Sequence, residues 1–206
     1  MLQSLAFTDD ETTLLADTQL FRKKAAVTAK IRRMLEGTLQ ALQADLDAVT
    51  LITPPGFDSK VHQLVKGEHL EDFPYQYLDY PKHFQGGNTF TFRTLVWWGH
   101  YVVCAMLLEG DGLRHYKQQL LGRFHQVAGH GLELSLAPSL WEWKRGEGYT
   151  FPITHDRKAQ IAAIVAERSL IKVLRCISFE DLRIRNGELP HIACETFRTI
   201  LPIIIH

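Results

Sequence analysis

One arginine in this chain sits where a charge is hard to leave alone. Between Thr89 and Trp97 the residues alternate, so Thr91, Arg93, Leu95 and Trp97 share one face of a strand while Phe90, Phe92, Thr94 and Val96 share the other. With both faces of the sheet covered, the Arg93 guanidinium is out of water, and desolvation at a cost of several kcal/mol demands a carboxylate or several carbonyls. Asp79 and Glu68 are the candidate partners upstream. Two readings of the pair stand side by side. An Arg93–Asp79 ion pair would fasten the preceding irregular segment to the sheet. Alternatively, Arg93 would bind an anion in an aromatic pocket lined by Tyr80, Trp97 and Trp98. The candidate ligand-binding set is therefore Glu68, Asp79, Tyr80, His83, Arg93, Trp97, Trp98 and His100.

Histidine is the other enriched chemical group, ten residues being about twice a rough composition prior. Metal ligands on one helix favour i and i+3 or i+4, and no two histidines fall at either spacing. His115 and His125 are expected to face solvent, and only a loop-built site from His62, His69, His83 and His100 would gather several rings. The chain holds no Walker A loop, GxGxxG, HExxH, GxSxG or EF-hand pattern, so no cofactor or metal is expected. Gly86-Gly87-Asn88 precedes a strand rather than a helix and reads as a turn, not a phosphate cradle.

Cys104, Cys176 and Cys194 are an odd, widely spaced set, which fits small core residues in a reducing compartment. Cys104 lies in the most apolar strand, where burial raises a thiol's pKa and leaves it inert. Arg22, Lys23, Lys24, Lys30, Arg32 and Arg33 spread around a helix without interleaved aromatics, which points to a solvated face rather than a nucleic-acid grip. Lys plus Arg and Asp plus Glu both number 23, so the chain has no basic excess, and no nucleic-acid partner is expected. Trp141-Glu142-Trp143 would place both indoles on one face of an edge strand, as a cluster or partner surface ahead of a sugar platform.

The elements that position these residues are legible in outline. Thr8 followed by Glu11 is a capping box. Leu20, Val27, Ile31, Met34, Leu35, Leu42, Leu46 and Val49 then draw one apolar stripe along a long helix, with Gly37 marking close packing or a bend, until Thr53-Pro54-Pro55-Gly56 ends it. Residues 57–88 look irregular. Thr89 to Trp97 and Tyr101 to Leu108 read as an antiparallel hairpin, and the unbroken apolarity of the second strand calls for a central place in the sheet. Asp111-Gly112 opens a helix running to Ala128, with Gly129 and Gly131 as stops. Leu132 to Leu136 and Leu140 to Ile153 suggest three short strands turned at Arg145-Gly146-Glu147-Gly148. A helix from Thr154 or Asp156 breaks near Ser169, residues 170–177 are strand or helix, and Ile192 to Leu201 is a final helix.

These elements make a single α+β domain over residues 1–206, a mostly antiparallel sheet packed against the long N-terminal helix and two or three others. With 46% hydrophobic and 22% charged residues the composition is that of a globular chain, which excludes large-scale disorder. Met1 to Phe7 shows no signal-peptide pattern, and the run Tyr101 to Leu108 is far short of the roughly 20 residues a spanning helix needs. A soluble, cytoplasmic protein without a membrane partner is expected.

Lys66-Gly67-Glu68, Leu78-Asp79-Tyr80-Pro81 and Phe92-Arg93-Thr94 with Trp97-Trp98-Gly99 resemble a set of bacterial proteins, typical of Bacteroidetes, that carry no assigned activity. The resemblance covers about residues 64 to 110, and it implies a bacterial source and no activity. His100 departs from the small polar residue of that pattern, which weakens a general-base role for it. Two functional classes remain. The first is a non-catalytic binding protein for a small anionic ligand or protein partner near Arg93 and Trp97. The second is a hydrolase using Asp79, His83 or His100 with Arg93 as anion holder. The chain lacks a reaction-specific pattern, so the first is preferred.

Overall fold

Helix leads the chain. In the computed structural model, which describes residues 5–206, α1 (Asp9–Ala16) opens on the Thr8 capping box, with the Thr8 hydroxyl accepting from the Glu11 amide and the Glu11 carboxylate accepting from Thr8. The first four residues of the Met1–Phe7 segment lie outside the described region. Asp17 ends α1 and caps α2 (Thr18–Leu46), whose Ile31, Leu35, Thr38, Leu42 and Leu46 are buried on one stripe. Val49 of the expected stripe falls beyond the last turn.

Seven strands follow: β1 (Gln63–Leu70), β2 (Phe73–Gln85), β3 (Asn88–Trp97), β4 (Tyr101–Glu109), β5 (Glu133–Ser135), β6 (Thr150–Pro152) and β7 (Leu170–Ile177). They form one antiparallel sheet in the order β1-β2-β3-β4-β7-β5-β6, which gives β4 the central place its sequence requires. The α+β class is the one read from the sequence. The remaining helices are α3 (Leu113–Gly122), α4 (Phe124–Val127), α5 (Lys158–Ala166), α6 (Leu182–Arg185) and α7 (Leu189–Ile204). None is long and apolar enough to cross a membrane.

Each face of the sheet has its own cover. On one, Phe90, Phe92, Val96, Cys104, Met106, Ile171 and Val173 pack with residues of α2, α3 and α7 in the larger core. On the other, Leu95, Trp97, Val103, Ala105, Leu107, Leu170 and Leu174 pack beneath Leu140 and Trp143. Gly37 packs beside α7 without crowding, since a Cβ there would meet Pro190 Cγ at 3.5 Å, an ordinary van der Waals contact.

Three expectations are corrected. Residues 57–88 are largely β-hairpin, not irregular. Its two-residue turn is Glu71-Asp72, both at positive φ (49° and 66°), a conformation in which sequence reading looks for Gly or Asn. The helix expected to run on to Ala128 is split at Arg123, whose guanidinium instead donates to the Pro202 and Ile205 carbonyls at the end of α7. Finally, residues 136–149 contain no strand; their carbonyls at Ala137, Leu140, Glu142 and Trp143 accept from the side chains of Arg168, Lys172 and Tyr101 rather than from a neighbouring strand. The undecided segment 170–177 is β7.

Phe197 lies at the centre of the larger core, fully buried and edge-on to Phe92 at 5.2 Å. Phe197→Ala is expected to cost about 3–5 kcal/mol in urea denaturation, since the cavity sits where sheet and helices meet.

Candidate functional site

Asp79 and Arg93 are direct cross-strand neighbours in the register of β2 on β3. Arg93 donates from Nε to Oδ1 and from Nη2 to Oδ2 of Asp79, each at 2.7 Å, so both carboxylate oxygens are taken by one planar fork. Their side chains are 6% and 1% exposed. The Tyr77 ring lies 3.7 Å from the guanidinium carbon, and the Trp141 and Trp143 rings lie 5.1 and 5.4 Å away. A cation held among aromatic faces gains from their quadrupoles, and the indoles also keep water off the pair.

Above this pair opens a cleft of about 360 Å³, lined by Gln63, Leu70, Tyr75, Tyr77, Asp79, Lys82, Phe84, Arg93, Leu95, Trp141 and Trp143. The lining of β2 changes phase partway along, with residues 75, 77 and 79 followed by 82 and 84. A one-residue bulge between Asp79 and Lys82 produces this shift, since Asp79 pairs with Arg93 but Lys82 pairs with Thr91. The Thr91 hydroxyl donates to the Pro81 carbonyl at 2.8 Å, satisfying an acceptor within the bulge. Tyr75 stacks on Tyr77 at 6.1 Å with planes 5° apart, and its ring covers Gly67, where a Cβ would come within 2.4 Å. Burial pushes the Tyr77 phenol above its ordinary pKa, against the opposing charge of Arg93.

The far wall is held by Lys172. This buried β7 lysine donates to the Leu140 carbonyl at 3.1 Å and to the Glu142 carbonyl, and its Nζ lies 4.7 Å from the Trp143 ring centroid. Burial lowers its pKa to about 8. Tyr101 donates to the Trp143 carbonyl at 2.9 Å, so the segment bearing both tryptophans is hung from side chains of the sheet.

The structure brings together two of the eight residues chosen from sequence, Asp79 and Arg93. Glu68 binds Lys24 of α2 at 2.6 Å and Lys66 at 3.2 Å, and the Lys24 hydrogen bond holds its carboxyl below the usual range. Tyr80 is buried in the helix-side core. His83 is turned to the same side by the bulge and meets Phe57 at 6.3 Å. Trp97 is buried with its indole nitrogen donating to the Leu70 carbonyl, and His100 stacks on it at 3.7 Å. Trp98 packs on the helix-side core. His62, His69, His115 and His125 are exposed, and among the described residues no three His, Cys, Asp or Glu side chains gather as metal ligands would. Burial pushes the Cys104 thiol up to about 12, an inert core thiol.

Sequence reading missed Tyr75, Tyr77, Lys82 and Phe84, and saw Trp141 and Trp143 only as a pair. The alternation Tyr75-Gln76-Tyr77-Leu78-Asp79 carried a usable signal for the first two. No signal existed for Lys82 and Phe84, because the bulge reverses their parity. Comparison with family models, curated proteins and solved structures finds no match, so fold and site rest on the chain's own chemistry.

Removing one partner of the buried pair leaves the other charge stranded. Arg93→Ala is expected to lose about 3–5 kcal/mol of stability in urea titration, while Arg93→Met with Asp79→Leu loses less than either single change. Lys172 gives a pH signature. Between its folded value of about 8 and the ordinary lysine value of 10.5, the unfolded chain keeps a proton that the folded chain has released. Stability from this group therefore rises with pH across that window and is lost as pH falls through 8. Thermal melts should show the Tm of the wild type gaining on that of Lys172→Met over the same window.

Proposed function

We propose that the protein is a non-catalytic binding protein whose cleft takes a small planar anion. The observation that carries this reading is the pairing of an aromatic enclosure with one uncommitted cation. The walls offer Tyr75, Tyr77, Phe84, Trp141 and Trp143 to a flat ring. Arg93 and Asp79 cancel as charges, whereas Lys82, half-buried on the lining, has no carboxylate within ion-pair reach among the described residues. The cleft thus carries one net positive charge. Nη1 of Arg93 makes no bond to Asp79, which is held by Nε and Nη2.

Binding rather than turnover is supported by the state of Asp79. Its two oxygens are both engaged by Arg93, so the carboxylate of the cleft is spent on architecture and is not offered to a substrate proton. His83 and His100, the partners a hydrolase would draw on, point into other packing environments.

The reading is tested by calorimetric titration with benzoate, 2-naphthoate and indole-3-carboxylate, each beside its neutral alcohol. Expected are saturable one-to-one binding of at least one acid and binding at least tenfold weaker for the matching alcohol, about 1.4 kcal/mol. Lys82→Gln should remove most of that preference with little change in Tm, and Trp141→Ala should weaken acid and alcohol alike. Indifference to every acid, or equal affinity for acid and alcohol, overturns it.

A further inference from the structure

Between Leu5 and Lys30 the chain displays apolar side chains that stand exposed among the described residues. Leu5 and Phe7 are 97% and 68% exposed, and Leu14, Leu15, Leu20, Phe21 and Val27 are exposed as well. No residue of α1 is buried. A helix of eight residues has little stability of its own, and most helical stability in proteins comes from packing an apolar face. Leu20 and Val27 continue the buried stripe of α2, eleven and four residues ahead of Ile31. The stripe therefore outruns the sheet it packs on.

Beside this overhang lies an almost wholly apolar pocket of about 220 Å³, formed by Val27, Ile31, Val96, Trp98, Gly99 and Phe179. The charges of the same segment are sorted by sign along the chain. Asp9, Asp10, Glu11 and Asp17 come first, then Arg22, Lys23, Lys24, Lys30, Arg32 and Arg33. No ion pair joins the acidic run to the basic run within one chain among the described residues; Lys24 pairs with Glu68 and Arg32 with Glu36.

We infer that this face is the interface of a two-fold homodimer, with the α1–α2 segments of two copies running antiparallel. Sorted charge is self-complementary only in that sense, since each acidic run then lies over the other copy's basic run. Laid antiparallel, the second copy's α1 with Asp9, Asp10 and Glu11 runs beside the part of α2 that carries Lys30, Arg32 and Arg33, and its exposed Leu14 and Leu15 run beside Leu20 and Val27. The same arrangement offers the apolar pocket beside Val27 to the second copy's exposed leucines. The pocket, the exposed leucines and the charge order, three separate features, are thus satisfied by one partner.

Sedimentation velocity and light scattering on the full chain decide the matter. Wild type is expected at twice the 23.6 kDa chain mass. Leu14→Glu should raise the dissociation constant at least tenfold without lowering the melting temperature of the core, because Leu14 touches none of it. Two charge-reversed chains give the sharper test. One carries Asp9→Lys, Asp10→Lys and Glu11→Lys; the other carries Lys30→Glu, Arg32→Glu and Arg33→Glu. Each alone should run as one chain, and an equal mixture should restore the two-chain mass. A wild type of one-chain mass at the highest attainable concentration overturns the proposal, including one that floats with anionic vesicles. So does a dimer indifferent to Leu14→Glu and to both reversals.

Discussion

Placing a guanidinium between the two covers of a sheet commits much of the surrounding structure. Arg93 cannot be left without an anion at 6% exposure, and Asp79 answers it from the directly opposed position on β2. That pairing fixes which residue of β2 faces which residue of β3, because a slip of one place would turn Asp79 to the helix side. It also requires a lid. Residues 136–149 supply one, and they lie flat on the sheet because Arg168, Lys172 and Tyr101 reach up to their carbonyls. Polar side chains on the sheet and just before β7 thus do for this cover what apolar side chains do for the helices opposite. The arrangement explains how a segment without regular structure can close a core: its acceptors are satisfied one by one.

The bulge after Asp79 has the second largest effect. Strict alternation would bring Pro81 and His83 onto the face of Asp79; one extra residue brings Lys82 and Phe84 instead. A histidine is exchanged for a lysine on the cleft lining, which is the substitution our charge-recognition proposal rests on. Thr91 stabilises the irregularity by bonding the Pro81 carbonyl from the strand next door. Bulges next to functional sites re-aim side chains in this way, and the residues they re-aim are the ones periodicity misplaces.

What the sequence disclosed divides along the same physical line. Features set by a repeat were readable: the stripe of α2, the capping box at Thr8, the β3–β4 hairpin, the central place of β4, and the need of Arg93 for a carboxylate. Features set by a departure from a repeat were not. Glu71-Asp72 turns the β1–β2 hairpin without Gly or Asn, and Pro74 and Pro81 argue against a strand that in fact holds them at its start and at its bulge. The chosen site suffered from both. The expected Arg93–Asp79 ion pair forms, but Tyr80, His83 and Trp98 fell to the opposite face, while Trp97 and His100 are consumed in stacking on each other.

Strand β3 divides the two surfaces for which we propose roles. Leu95 and Arg93 face the cleft, whereas Val96, between Leu95 and Trp97, lines the apolar pocket beside α2. Neighbouring residues on one strand thus belong to opposite sides of the sheet, and a second copy seated along α2 would leave the Trp141 side open to solvent. The cleft would remain accessible in both copies of a two-fold dimer. Coupling between the surfaces would have to pass through the strand itself, whose buried backbone is held on both edges by β2 and β4. Nothing on that strand offers two alternative arrangements, so the proposed ligand binding and the proposed association are treated as independent.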